Sequence, residues 1–146
     1  MKSLSLGALL LLALSACGPQ ADAKTVAEVF LSARDVDDVD GAMPIMAPGV
    51  VMRAPNELEY RGPAQVRQWL QTNLAEYTYK LSEAPKMSGS RVTWRDNLYG
   101  ADGSRWVGEL AWDISVTNLE ITAIDGRVLR GASGAICPRC PPGTRI

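Results

Sequence analysis

The feature that most constrains this chain is a change in the spacing of its apolar residues at Tyr77. Before Tyr77, apolar residues recur every three or four positions, which predicts amphipathic helices. After Tyr77, they alternate with polar residues, which predicts strands that bury one face. Helices followed by an antiparallel run of strands predict an α+β fold, with the sheet packed on the N-terminal helices.

The helical part begins with a capping signal. Thr25 and Glu28 have the spacing of a capping box, so we expect the first helix to start there. Asp40 is a candidate cap for a short second helix that reaches Met46. Pro63 suits the first turn of a third helix. The apolar positions on the first and third helices are Val26, Val29, Phe30, Ala33, Val36, Val66, Trp69 and Leu70.

The strands follow in quick succession, separated by turn residues. Asp125-Gly126 is a typical two-residue hairpin turn, so it predicts a break between the last two strands. The segments with strand character are 50–54, 58–61, 77–81, 91–99, 105–115, 119–124 and 127–130. Alternation in the longest of them predicts a buried face formed by Trp106, Leu110, Trp112 and Ile114.

The first sixteen residues predict where the protein works. A basic start and an apolar run over 4–14 are typical of a secretory signal, and the run is too short to span a membrane. Leu14-Ser15-Ala16-Cys17 resembles a bacterial lipobox, which implies a lipidated Cys17 at the mature N-terminus. An ordinary cleaved signal is the alternative. We expect a cell-envelope protein anchored through lipid, and Gly18 favours the outer membrane if the cell has two.

Composition divides the rest of the chain and excludes some chemistry. We assign 1–16 to the signal, 17–24 to a lipidated tether, 25–131 to one folded domain and 132–146 to a Gly/Pro-rich tail. Histidine is absent, which excludes imidazole-based catalysis and imidazole metal sites. Lys and Arg are scattered, so no nucleic-acid surface is expected. We predict no metal and no cofactor.

The tail contains a Cys-Pro-Arg-Cys motif. Outside the cytoplasm, Cys137 and Cys140 favour a structural disulfide. A redox role is the alternative, but the prolines that follow oppose the helix that usually lowers a reactive thiol's pKa. A zinc site would need two further ligands.

The order of these elements resembles the nuclear transport factor 2-like (NTF2-like) superfamily, which includes ketosteroid isomerase and polyketide cyclases. The resemblance rests on the first helix, on Asp38-Val39-Asp40-Gly41-Ala42, on Tyr60-Arg61-Gly62-Pro63-Ala64 and on Ile124-Asp125-Gly126-Arg127-Val128. It implies a curved sheet around a long helix, a cone with an apolar cavity and, in many members, a homodimer through the outer sheet face.

The candidate site residues lie on the predicted sheet and on the third helix. Strict alternation places Asp96 on the apolar face of its strand, where burial would raise its pKa. A bulge that leaves Asp96 in solvent, or paired with an arginine, is the alternative. The tryptophans that could line a cavity, or simply fill the core, are Trp69, Trp94, Trp106 and Trp112. Glu109 and Asp113 are expected on the outer face.

No catalytic motif maps onto these residues, so the sequence favours a non-enzymatic protein. We expect a cell-envelope lipoprotein that binds a small apolar ligand or a partner protein. One alternative is an isomerase, dehydratase or hydrolase that uses Asp96. Another is a structural envelope component whose outer face, with Arg105, Glu109 and Asp113, contacts a partner.

Overall fold

The computed structural model describes residues 19–131. Cys17, Cys137 and Cys140 lie outside the described residues, so the predicted lipid anchor and disulfide remain predictions. The described elements, in chain order, are α1 (Pro19–Asp35), α2 (Val39–Ala42), a 3-10 helix (Met43–Ile45), β1 (Met46–Arg53), β2 (Glu59–Arg61), α3 (Gly62–Glu76), β3 (Tyr77–Ser88), β4 (Arg91–Gly100), β5 (Trp106–Thr117) and β6 (Glu120–Gly131).

The described strands form one curved, unclosed sheet with the order β2-β1-β6-β5-β4-β3. The predicted α+β class is therefore confirmed. Neighbouring strands are antiparallel except β1 and β6, which run parallel. The predicted wholly antiparallel sheet is wrong at this pair, where the long connection, which includes α3 and three long strands, allows β1 and β6 to run in the same direction. Helices α1 and α3 pack on one face of the sheet, and the apolar core lies between them.

Helix α1 starts earlier than the sequence predicted. Pro19 begins the helix, where its fixed φ suits the first turn, and Asp22 in that turn interacts favourably with the helix dipole. Ala23 is fully buried in the core. Thr25 therefore lies inside α1 rather than at its cap, and Pro19–Lys24 is helix rather than tether. No helix between Pro19 and Gly131 is long and apolar enough to cross a bilayer.

The predicted turn at Asp125-Gly126 is wrong. Both residues lie inside the continuous strand β6, where Asp125 pairs with Asp113 and Gly126 pairs with Trp112 on β5. A Cβ atom on Gly126 would come within 2.5 Å of the Trp112 ring. The glycine is therefore required by the close approach of an indole ring rather than by a turn.

Trp106 lies on the opposite face of the sheet from the one predicted. Leu98 pairs with Gly108 while Tyr99 pairs with Trp106, so Val107 is an extra residue that reverses the alternation. Val107 is consequently buried, and Trp106 is 47% exposed. Its indole nitrogen donates a 3.2 Å hydrogen bond to Asn97 on the outer face.

Candidate functional site

A buried ion pair joins the first helix to the middle of the sheet. Asp96 on β4 is fully buried, and Arg34 on α1 is only 7% exposed. Nη1 of Arg34 donates a 2.6 Å hydrogen bond to Oδ2 of Asp96. The pairing of β4 with β5 is regular at Asp96. Asp96 therefore lies on the apolar face, as strict alternation predicted, and it also pairs with an arginine, as the alternative proposed.

Local sequence explains why these two side chains meet. Val92, Trp94, Asp96 and Leu98 alternate with exposed or half-buried residues along β4 and are all buried. Arg34 lies one helical turn beyond Phe30, so it continues the buried stripe of α1. The ring centroids of Phe30 and Trp94 are 6.1 Å apart, which fixes the helix above β4.

Three further side chains contact the pair. Trp94 Nε1 donates a 2.9 Å hydrogen bond to the same Oδ2 of Asp96. On its other side, Arg34 Nη2 donates a 3.0 Å hydrogen bond to Asp35, which is half-exposed. The guanidinium carbon of Arg34 also lies 5.5 Å from the centre of the Tyr79 ring. Arg34 therefore contacts two carboxylates and one aromatic face.

Burial dominates the protonation of the site. Loss of solvation raises the pKa of Asp96 above its ordinary value, although the charge of Arg34 and the hydrogen bond from Trp94 act in the opposite direction. Burial likewise raises the pKa of Tyr79, so its phenol stays neutral at physiological pH. The site thus contains a shared carboxylate, a fixed cation and a neutral phenol.

Aromatic rings surround the ion pair. Trp94 and Trp112 stack with ring centroids 6.2 Å apart, and Trp69 meets Trp112 edge-on at 5.9 Å. Tyr79 contacts Trp112 from the other side at 6.3 Å. These rings wall a small cavity of about 10 Å³, close to the space that one water molecule needs. Its lining residues are Phe30, Arg34, Met52, Trp69, Leu70, Leu74, Tyr79, Trp94, Trp112 and Ile124.

Two buried polar atoms of this region have no hydrogen-bond partner among the described residues. They are Nε1 of Trp112 and Oδ1 of Asp96. An unpaired buried polar atom costs folding free energy, so each such atom calls for an explanation. Trp112 lines the cavity directly, whereas Asp96 contacts two residues that line it, Arg34 and Trp94.

The sequence-predicted site residues thus separate into two groups. Trp69, Trp94 and Trp112 surround the cavity with Asp96 behind them, while Trp106 lies on the outer face. Sequence reasoning missed Arg34, and the available signal was its position four residues after Phe30 on the buried stripe. Tyr79 was also missed, although it is two residues after the buried Tyr77 on β3.

The outer face of the sheet carries charged pairs at Glu109 and Asp113, but Glu109 is buried there, with only 8% exposed, and is not the surface charge that was expected. Glu109 accepts a 2.9 Å hydrogen bond from Arg130, and Asp113 pairs with Arg91 across two strands. A shallow groove of about 790 Å³ crosses this face. Most of its lining residues are polar or charged, but Trp94 and Trp112 line both this groove and the inner cavity.

Comparison with solved structures identifies the fold. A protein from Kribbella flavida, provisionally named a ketosteroid isomerase, matches with a TM-score of 0.70 and 12% identity over 88% of each chain. An NTF2-like protein of unknown function from Mesorhizobium loti gives a TM-score of 0.68 and 17% identity over 76% of this chain and 93% of that one. An LEH-like epoxide hydrolase from M. tuberculosis gives 0.63 and 16%, over 75% and 84%.

These similarities confirm the predicted NTF2-like fold. At such low identity they carry no information about activity, and folds of this kind support unrelated functions. No protein-family model matches the sequence. No curated protein sequence matches it significantly.

Proposed function

We propose that this chain is a lipid-anchored protein of the cell envelope whose NTF2-like domain binds a small, neutral and largely apolar ligand. The lipobox-like sequence ending at Cys17 supports the anchor, and the aromatic cavity supports the ligand. Small-molecule sites are mostly apolar and contain a few well-placed polar groups. This cavity has that composition, although its volume of about 10 Å³ is far below that of a typical ligand pocket.

The observation that carries the proposal is the unpaired indole nitrogen of Trp112. It is a buried hydrogen-bond donor on a residue that lines the cavity, and no described residue accepts from it. A ligand oxygen that accepts this hydrogen bond would remove the cost of burying it. Arg34 and the neutral Tyr79 hydroxyl bring further donors to the same wall. The ligand is therefore expected to carry a hydrogen-bond acceptor on an apolar body.

Charge in the cavity favours a neutral ligand. The charge of Arg34 is already paired with Asp96 and Asp35, so the cavity offers no unpaired positive charge to an anionic ligand. The cavity has room for about one water molecule, so a larger ligand requires side chains to move. Helix α3 contributes Trp69, Leu70 and Leu74 to the lining of the cavity.

Calorimetric titration with three matched probes tests the proposal. Acetophenone has a carbonyl acceptor on an aromatic ring, toluene lacks the acceptor, and benzoate adds a negative charge. We expect acetophenone to bind best and to lose about tenfold in affinity in Trp112→Phe, as expected for loss of one hydrogen bond. Trp106→Phe, on the outer face, is the control and should bind normally.

The ligand proposal would be overturned if none of the three probes binds saturably and native mass spectrometry of the protein purified from its own membranes finds no bound small molecule. The anchor has a separate test. The intact mass of the mature chain should correspond to a start at Cys17 plus acyl chains, and Cys17→Ser should move the protein into the soluble fraction.

A second candidate function is proton transfer by Asp96. Burial raises the pKa of its carboxyl group, as in many general bases, and its Oδ1 has no partner among the described residues. In this mechanism Asp96 would accept a proton from a carbon atom next to a carbonyl group. Exchange of the methyl protons of acetophenone in D₂O, followed by NMR, tests it. Exchange no faster with the native protein than with Asp96→Asn would exclude this role.

A further inference from the structure

The turn between β5 and β6 exposes a leucine in an unfavourable backbone conformation. Thr117 pairs with Glu120, so the turn consists of Asn118 and Leu119, and both have positive φ angles, of 51° and 61°. Asn-Gly is common in such turns because glycine adopts positive φ freely, whereas leucine rarely does. Leu119 is also 50% exposed. An exposed apolar side chain in a strained position points to a contact outside the domain.

More apolar surface lies beside this turn. Met46 of β1 pairs with Ile121 of β6, which brings the 3-10 helix Met43–Ile45 next to Leu119. Pro44 is exposed, while Met43 and Ile45 are only partly covered by the core. We refer to Met43–Ile45 and Asn118–Leu119 together as the apolar end of the domain.

The first residues of α1 lie at the same end. Arg34 contacts Asp96, and one turn earlier Phe30 contacts Trp94, so α1 runs along β4 with its N-terminus towards Arg91. Pro19 precedes Phe30 by eleven residues, which is about 16 Å of helix. Five residues along a strand cover about the same distance. Trp94 pairs with Trp112 on β5, so the strand position level with Phe30 is Trp112. Five residues further along β5 is Thr117, which is therefore level with Pro19 and lies beside the turn.

We propose that the apolar end rests on the surface of the lipid bilayer, with Leu119 in contact with lipid. The inference depends on the lipid anchor proposed at Cys17. Only Gly18 separates Cys17 from the first residue of α1, so the anchor lies within about 7 Å of the helix, given at most ~3.6 Å per residue. So short a connection keeps this end of the domain at the membrane. Contact with lipid then covers Leu119, which the fold itself leaves exposed.

Photo-crosslinking tests the inference in the full-length protein. Benzoylphenylalanine replaces Leu119, or in a control Leu58, and the protein is reconstituted into phosphatidylethanolamine–phosphatidylglycerol vesicles. Leu58 is 47% exposed but lies in the turn after β1, at the opposite end of that strand from Met46. After irradiation, mass spectrometry measures lipid adducts. We expect at least tenfold more adduct from position 119 than from position 58.

Equal adduct yields at the two positions, or no adduct at position 119 in a chain whose mass shows acylated Cys17, would overturn this inference and leave the anchor intact. A mature chain without acyl groups would overturn the anchor itself and, with it, the inference. The ligand proposal is independent of both outcomes, because it concerns the inner cavity.

Discussion

Arg34 on α1 and Asp96 on β4 form a buried hydrogen-bonded ion pair between residues 62 positions apart in the chain. Arg34 is the last buried residue on the apolar stripe of its helix, and Asp96 replaces an apolar residue on the buried face of its strand. The pair therefore fixes how far along the sheet the helix lies. It also places a charged group at the edge of a cavity that is otherwise lined by aromatic and aliphatic side chains.

Breaking this pair should destabilise the domain strongly. Arg34→Met leaves the carboxylate of Asp96 buried without its cation, and we expect a loss of about 3–5 kcal/mol in the free energy of unfolding. Arg34→Met combined with Asp96→Leu removes both charges and should recover most of that loss. Urea unfolding followed by circular dichroism measures both variants. A double variant no more stable than Arg34→Met would contradict the prediction.

The exposed pair between Arg91 and Asp113 provides the control for that experiment. Arg91 lies in solvent on the outer face, where water screens its interaction with Asp113. Arg91→Met should therefore leave the free energy of unfolding almost unchanged.

Stability should depend on pH through Asp96. Its folded-state pKa is raised above the ordinary value of 3.8, mainly by burial. The folded protein thus keeps a proton on Asp96 at pH values where the unfolded chain has lost it. The contribution of Asp96 to the free energy of unfolding must then decrease as pH rises from about 4 through the folded-state pKa, and stay constant above it. Urea unfolding across this range should show the decrease in the native chain but not in Asp96→Asn.

Parallel pH profiles for the native chain and Asp96→Asn would contradict that prediction. The carbon chemical shift of the Asp96 carboxyl group, followed by NMR, gives an independent check. It should titrate above the range of a free aspartate.

The close approach of Trp112 to β6 should make Gly126 intolerant of a side chain. A methyl group there would overlap the Trp112 ring and approach Pro55 at 3.0 Å. We expect Gly126→Ala to lower the free energy of unfolding by about 1–3 kcal/mol, the usual cost of overpacking. Gly49→Ala is the control, because its Cβ would meet nothing within 4 Å. Thermal unfolding of both variants should separate them, and equal melting temperatures would refute the explanation.

The strained turn predicts a stabilising substitution. Leu119→Gly creates the common Asn-Gly turn and relieves the positive φ of leucine, so we expect detergent-solubilised protein to gain about 0.5–1 kcal/mol. Leu58→Gly, at a position without positive φ, should not stabilise. Chemical unfolding measures both, and a loss of stability in Leu119→Gly would mean that the side chain of Leu119 supports the fold.

Sequence periodicity predicted most elements correctly because it reports which face of each element is buried. The buried positions Val66, Trp69 and Leu70 of α3 lie where their spacing predicted. Predictions from local patterns were wrong where contacts between strands determined the structure. Asp125-Gly126 has the sequence of a turn, but the glycine is required by the close approach of the Trp112 ring. Trp106 lies on the outer face because Val107 is an extra residue in β5.

The sequence alone determined the succession from helices to strands, the α+β class and the absence of imidazole chemistry, and it predicted the burial of Asp96 only as one of two alternatives. Each of these depends on residues that are neighbours in the chain. Only the tertiary structure decided that Arg34 pairs with Asp96 and that β1 runs parallel to β6. It also decided that the buried indole nitrogen of Trp112 has no hydrogen-bond partner among residues 19–131. These features depend on contacts between distant segments, whose geometry is set by the packing of the helices on the sheet.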